Sequence, residues 1–251
     1  MSFDATASVF ERHRQVPDRV RAAIRAAVLS RIPENCKRRL LDIGAGTGRI
    51  GRAFVSAGDT YIGVDASMGM LRQFVSGRGF LVQAEAERLP FPDRAFGAVM
   101  LIQVLSGARS WLGILRDARR VLAAGAPLFV GQQKVPQDGI DVQMKGYLHV
   151  ILLREMGISI AASIDNRTHG LEWLRQASCT SEQIIVERWT ARRSPRDFLE
   201  RHVTGMRFSA VPPTAQQTAL ERLSAWAQAH FGSLDRAFSE EHIFELHAFT
   251  F

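Results

Sequence analysis

The sequence predicts an α/β domain built on a mostly parallel, seven-stranded sheet. Three observations carry this. Between residues 39 and 135 short apolar runs alternate with helical segments, the rhythm of strand–helix–strand units whose sheet is covered on both faces. The first of those runs, "RRLLDIG", leads straight into a glycine-rich turn, "AGTGRIG". Beyond residue 135 helical stretches interrupt the rhythm, but two more segments with strand-like alternation follow.

Each element has its own local signal. The first 30 residues read as helical: "RVRAAIRAAVLSR" puts Val20, Ile24, Ala27 and Val28 on one stripe, with Arg19, Arg21, Arg25 and Arg31 off it. "RLLDIG" is the first strand, "RIGRAFVSAG" a short helix ending at Gly58, and "TYIGVDAS" the second strand. "MGMLRQFVSG" is a helix closing on Gly77, before a third strand in "FLVQAEA" and a fourth in "FGAVMLIQVL". "WLGILRDARRVLA" is helical and delivers the fifth strand, "APLFVGQQ". After it, "VPQDGIDVQMKGYLHVILLREMG" reads as a loop and helix, and "HGLEWLRQA" as another short helix. "SEQIIVERWTARRS" is a sixth strand; "SPRDFLERHV" restarts a helix with Ser194 as N-cap and Pro195 in the first position. "PPTAQQTALERLSAWAQAHFG" opens on proline and closes at Gly232, and "EEHIFELHAFTF" alternates as a final strand. The organisation expected is one domain over 1–251: a helical cover (1–36), a cofactor-binding core (37–135), and substrate-side helical insertions with the final strands (136–251).

Composition narrows the function. The formal charge of +7 comes from 29 arginines against only 3 lysines, and they are scattered with no basic run interleaved with aromatics. That pattern is a solvated surface and argues against nucleic acid as the partner. No apolar run approaches the ~18 residues of a membrane span, and "MSFDATASVFERHR" lacks a secretory signal's charge and core. Cys36 and Cys179 are too few and too separated for a disulfide framework or a zinc site, and Cys179, before a strand, is expected to be a buried inert thiol. The expectation is a cytoplasmic protein without a metal, monomeric or homodimeric.

The glycine loop holds the chemistry. Gly44, Gly46 and Gly48 follow the first strand, where a tight turn lets backbone approach a ligand. Asp65 lies 17 residues beyond Gly48, at the end of the second strand, where a carboxylate accepts both hydroxyls of an adenosine ribose. The letters Gly46-x-Gly48-x-x-Gly51 also spell a dinucleotide loop, which leaves an NAD-dependent oxidoreductase as a rival. Asp42 discriminates: a carboxylate beside the loop repels a pyrophosphate and favours a cofactor bearing an ammonium and a sulfonium. On this reading Gly51 is an ordinary helix residue that completes the dinucleotide pattern by coincidence.

With "LLDIGAGTG", Asp65 and "AEAERLPFPDRAFGAV" (84–99) in order, the chain resembles the class I S-adenosylmethionine-dependent methyltransferases, in particular the small-molecule, bacterial methyltransferase type 11 group. The resemblance covers about residues 38–130. It implies a Rossmann-like class I methyltransferase fold with the last strand antiparallel and helical insertions after strands five and six. It also implies S-adenosyl-L-methionine as cofactor and S-adenosyl-L-homocysteine as product. Asp42 and the backbone of Gly44, Ala45, Gly46 and Gly48 would hold the methionine portion. Asp65 would take the ribose, Ala66, Ser67 and Met68 would flank the adenine, Glu85 and Ala86 would read its edge, and Gln103 would touch cofactor or substrate. The chain departs from the family in Gly97 for an aspartate, "AAGAP" for "PGG", and "QVLSGA" for a histidine-bearing segment, so no catalytic histidine carries over.

The reaction implied is in-line transfer of a methyl group to an O, N or C atom of a small molecule, acidic or quinone-like. Tyr147, His149, His169 and Gln133 are the candidates for a catalytic group, although aromatics and histidines on helices more often serve core or rim. Arg109, Trp111 and Gln132 follow the fourth and fifth strands, at the end where open α/β sheets bind ligands. Arg154, Arg192 and Arg193 could recognise a carboxylate or phosphate. Rivals are an RNA or other macromolecule methyltransferase, weakened by "LIQVLS" where base methylation expects an "NPPY"-like segment, and a cofactor-binding module without turnover.

Overall fold

A computed structural model describes residues 16–74, 79–108, 110–159, 166–202, 208 and 211–251. The expected helix before residue 16, the helix end at Gly77, and Arg109 lie outside the described residues. Helix α1 (Asp18–Leu29) starts after Pro17, whose fixed φ suits a helix entry, and buries Val20, Ile24 and Val28, the stripe read from the sequence.

The parallel half follows: β1 (Arg39–Ile43), α2 (Arg52–Ser56), β2 (Thr60–Asp65), α3 (Met68–Gln73), β3 (Phe80–Gln83), β4 (Ala98–Ile102), α4 (Trp111–Val121) and β5 (Pro127–Lys134). Its strands are mostly apolar, as a sheet covered on both faces requires, and β4 is buried along its whole length. Then come α5 (Ile140–Val150), a π turn (Ile151–Glu155), α6 (Asn166–Ala177), β6 (Thr180–Arg193), α7 (Pro195–His202), α8 (Pro213–Phe231) and β7 (Phe238–Thr250).

These strands form one seven-stranded sheet in the order β3-β2-β1-β4-β5-β7-β6. β1 to β5 pair in parallel, while β7 runs antiparallel between β5 and β6. The predicted α/β fold with its antiparallel last strand is the observed one. Strand order reverses between β1 and β4, so the turns after them diverge and leave a crevice.

Two apolar clusters cover the sheet, one with α1 and α2 on one face and one with α4 and α6 on the other. A third belongs to α5, the π turn, α7 and α8, which pack on one another around Met144, Phe198 and Leu223. Ser194 caps α7 as the sequence predicts: its hydroxyl accepts the Asp197 N–H at 3.2 Å, and Asp197 returns a 2.8 Å acceptor to the Ser194 N–H. Gly97 is explained by contact, since a Cβ there would lie 1.9 Å from the Lys37 carbonyl oxygen.

Candidate active site

A cleft of about 620 Å³ opens at the carboxyl ends of β1, β2 and β4. Its floor is the turn after β1. The N–H groups of Gly44 and Ala45 both donate to the Val64 carbonyl, at 2.8 and 2.9 Å, which folds the turn back over β2. Gly44, Gly46 and Gly48 all sit at positive φ, a backbone region that side chains disfavour.

Asp65, at the end of β2, ties this floor to the next turn. Its two carboxylate oxygens accept the Gly46 N–H and the Ser67 N–H, each at 2.9 Å. Ser67 caps α3 through the Met70 N–H. Across the crevice, Gln103 holds a left-handed φ of 58°, with its N–H on the Gly131 carbonyl and its side-chain oxygen accepting from Arg49. A residue other than glycine in that conformation is strained, and it aims the Gln103 side chain at the cleft.

Asp42 lies at the foot of the cleft and is only 3 % exposed. Burial pushes its carboxyl up to about 7; the hydrogen bond from Tyr61 acts against this, and the nearby Asp65 charge adds to it. That hydrogen bond is short, 2.6 Å from the Tyr61 hydroxyl to Asp42 Oδ2.

Ten of the twelve predicted cofactor residues line this one cleft: Asp42, Gly44, Ala45 and Gly46, then Asp65, Ala66 and Ser67, then Glu85, Ala86 and Gln103. Gly48 and Met68 do not. A Cβ on Gly48 would lie 2.3 Å from the Phe74 ring, so that glycine serves packing. Met70, on the same helix, lines the cleft instead of Met68. Sequence reasoning missed Arg49, Ile50 and Met70, and the apolar wall formed by Ile102, Val104, Ala108 and Ile114. Period-3.6 spacing on α3 could have pointed from Ser67 to Met70; the wall carries no signature beyond apolarity.

None of the four catalytic candidates lines the cleft. Gln133 is half-buried and contacts His242 Nδ1 at 2.8 Å. Tyr147 stacks on Trp226 with ring centroids 4.3 Å apart, and His149 and His169 are exposed on their helices. Gln132 is engaged by Glu245 at 2.9 Å, and Trp111 packs partly buried under α6. Arg154 and Arg192 are exposed and Arg193 half-buried, so the three form no common anion site with the cleft residues. Cys179 is exposed, contrary to expectation, because it sits in the turn before edge strand β6. Gly51 is a further correction: a Cβ there would lie 2.2 Å from the Tyr61 hydroxyl.

A glycine turn and strand-end carboxylates meeting at the switch of strand order form the arrangement at which open α/β sheets bind ligands. Comparison with known proteins narrows this. Residues 41–130 match the Methyltransf_11 model, a methyltransferase domain. The chain is 34% identical over 120 residues to a demethylmenaquinone methyltransferase of Tropheryma whipplei, covering 46% of this chain and 50% of that one. It is 33% identical over 113 residues to the ubiquinone/menaquinone biosynthesis C-methyltransferase UbiE of Pseudomonas paraeruginosa, covering 41% and 44%. The chain thus spans about half the length of these relatives. In structure it resembles a putative type II methyltransferase from Anaeromyxobacter dehalogenans, with a TM-score of 0.63 over 94% of this chain and 97% of that one at 17% identity. Residues 41–130 thus match a methyltransferase domain, and the likeness to the solved structure is one of fold. Among the described residues no helix is long and apolar enough to cross a membrane.

Proposed function

We propose that the protein is an S-adenosylmethionine-dependent methyltransferase acting on an apolar, quinone-like small molecule. One observation carries the reading: a single cleft is charged and glycine-lined at one end and apolar at the other.

The residues present fit the donor. Around Gly46 a Cβ would find nothing nearer than 3.9 Å, so bare backbone faces open space there. Asp42 is a buried carboxylate whose partner is a neutral phenol, an arrangement an ammonium would complete. Arg49, the one cation among the described residues lining the cleft, suits the α-carboxylate. An ionised carboxylate offers about four acceptor sites, so Asp65 can keep its two backbone N–H groups and still receive ribose hydroxyls. Val64, Ala84 and Ala86 give the base an apolar bed, and Glu85 lies at its edge.

The bound donor supplies a methyl group already activated on a sulfonium. Transfer breaks that C–S bond, leaves its electron pair on sulfur, and forms one bond to the acceptor, which gives up a proton. The chain's work is alignment and exclusion of water. Ile102, Val104, Ala108 and Ile114 provide a dry wall beside Gln103 for a flat apolar ring. A ring hydroxyl on a reduced quinone activates the adjacent carbon, so no strong protein nucleophile is required. An acidic acceptor would need cations along that wall, whereas Arg49 stands in the turn that carries the donor site. The quinone-related names of the Tropheryma and Pseudomonas relatives support the same choice.

Calorimetric titration should show binding of S-adenosylhomocysteine and none of NAD. Label from methyl-labelled donor should then enter a demethylated hydroquinone rather than RNA. NAD binding with S-adenosylmethionine and S-adenosylhomocysteine both failing would end the donor assignment. Label in RNA, or in polar acids alone, would end the acceptor assignment.

A further inference from the structure

Beneath the glycine turn, the donor reading uses Asp42 but leaves open what its phenol partner, Tyr61, contributes. Tyr61 is on β2, 2 % exposed, with its ring edge-on to Phe74 at 5.8 Å and beside Phe54 at 6.0 Å. These aromatics fix the ring, so its hydroxyl points in one direction, to Asp42 Oδ2. The space for that hydroxyl exists because residue 51 has no side chain: a Cβ would stand 2.2 Å from the oxygen and 2.8 Å from Phe74. Gly51 has an ordinary helical φ of −56°, so conformation does not demand glycine here; the close approach does.

We propose that Tyr61 is a positioning residue of the donor site: its hydroxyl orients the Asp42 carboxylate toward the donor's ammonium, and Gly51 is glycine to let it do so. The inference rests on the donor reading above. A buried carboxylate without a donor would rotate or take up a proton, and either change removes the acceptor that an ammonium needs. Tyr61 holds one oxygen and leaves the other for the ligand. It also opposes the effect of burial on Asp42. The other charged groups along the cleft are Asp65 at the end of β2, which acts to protonate Asp42, Arg49 in the turn, and Glu85 after β3.

The test compares two ligands on Tyr61→Phe, which keeps the ring and deletes the hydroxyl. S-Adenosylhomocysteine carries the ammonium; 5′-methylthioadenosine has the same adenosine and thioether without it. We expect the first to bind about tenfold more weakly, the weight of one hydrogen bond to a charged group, and the second to bind unchanged. In the wild-type protein, affinity for the ammonium ligand should rise with pH as Asp42 ionises around 7. In Tyr61→Phe the midpoint of that rise should move upward, because burial is then less opposed. Equal loss of both ligands would show that the hydroxyl serves only the fold, and an unchanged pH profile would show that it does not act through Asp42. Either overturns the inference. A wild-type protein that binds neither ligand would instead overturn the donor reading itself.

Discussion

Two buried carboxylates, one in each half of the sheet, are treated in opposite ways. Asp42, in the parallel half, has a neutral phenol for a partner and is pushed up to about 7. Glu245, on β7 in the antiparallel half, is fully buried yet ringed by donors. Gln132 and Arg167 reach it at 2.9 Å, Gln183 at 3.0 Å, and Lys134 at 2.7 Å. Burial pushes Glu245 up as well, but the hydrogen bonds from Lys134, Gln132 and Gln183, with the lysine charge, hold it down at about 2. One carboxylate has a single neutral side-chain partner; the other is saturated and ties β5, β6 and α6 to β7. The glycine-lined end of the cleft is held by backbone turns, whereas the seam beyond it is held by side chains far apart in sequence.

Breaking the saturated network should have the largest effect. Glu245→Ala leaves Lys134 and Arg167 facing a cavity without an anion, a change that costs about 3–5 kcal/mol and lowers the melting temperature by roughly 10 °C. The pH dependence has a definite sign. The folded carboxyl sits at about 2 against 4.5 when exposed, so its contribution is complete above 4.5 and is lost as pH falls toward 2. Melting curves from pH 7 to 2 should therefore be flatter for the variant over that window. A loss below about 1 kcal/mol would mean the network is surface-like despite its burial.

Asp42→Asn should do the reverse and sharpen the contrast. The folded carboxyl keeps its proton up to about 7, while the unfolded one ionises above 3.8. The unfolded state therefore gains ground as pH rises through that window, and the penalty is constant above it. Asparagine removes this cost, worth at most about 4 kcal/mol, so the ligand-free variant should melt higher than wild type at pH 8 and nearly match it at pH 4. Its affinity for S-adenosylhomocysteine should fall about 10- to 100-fold, the weight of a charge-assisted bond. A variant no more stable than wild type at pH 8 would mean that Asp42 is already satisfied without a ligand.

The same division explains what could be read from the sequence. The parallel half was legible because its signals are local: apolar runs, glycines after a strand, and carboxylates at strand ends separated by one helix. The residues beneath the glycine turn carry no local mark. Tyr61 looks like any aromatic on a strand, and Gly51 like the end of a dinucleotide pattern. In the other half, "EEHIFELHAFTF" reads as an alternating final strand, and alternation alone does not say what covers its polar residues. β7 lies between β5 and β6, and Glu240, His242, Glu245 and His247 are all buried. Besides the pairs two residues apart, Glu240 with His242 and Glu245 with His247, their partners lie some 60 to 110 residues away, as in Gln133 on His242 and Ile140 N–H on Glu240 at 2.6 Å, and no window of sequence shows those distant pairings. That is also why Gln133 read as a catalytic candidate: its role as a partner of His242 exists only in the assembled sheet.

The smallest effect belongs to a signal that was fully legible and lies outside both carboxylate networks. Ser194 and Asp197 form a reciprocal cap on α7, which packs with α5 and α8 around their own apolar cluster. Ser194→Ala removes the hydroxyl that accepts the Asp197 N–H, so the variant should lose about 1 kcal/mol. Because that cluster is separate from the two covering the sheet, amide exchange should quicken in residues 196–202 and leave exchange in β1 to β5 untouched. Faster exchange spreading into Gln133 and His242 would mean that the helices beyond the sheet are coupled to the seam through Glu240, which accepts the first N–H of α5 and lies 3.2 Å from His242. The boundary between a locally encoded lobe and a side-chain-tied seam would then have to be redrawn at Glu240.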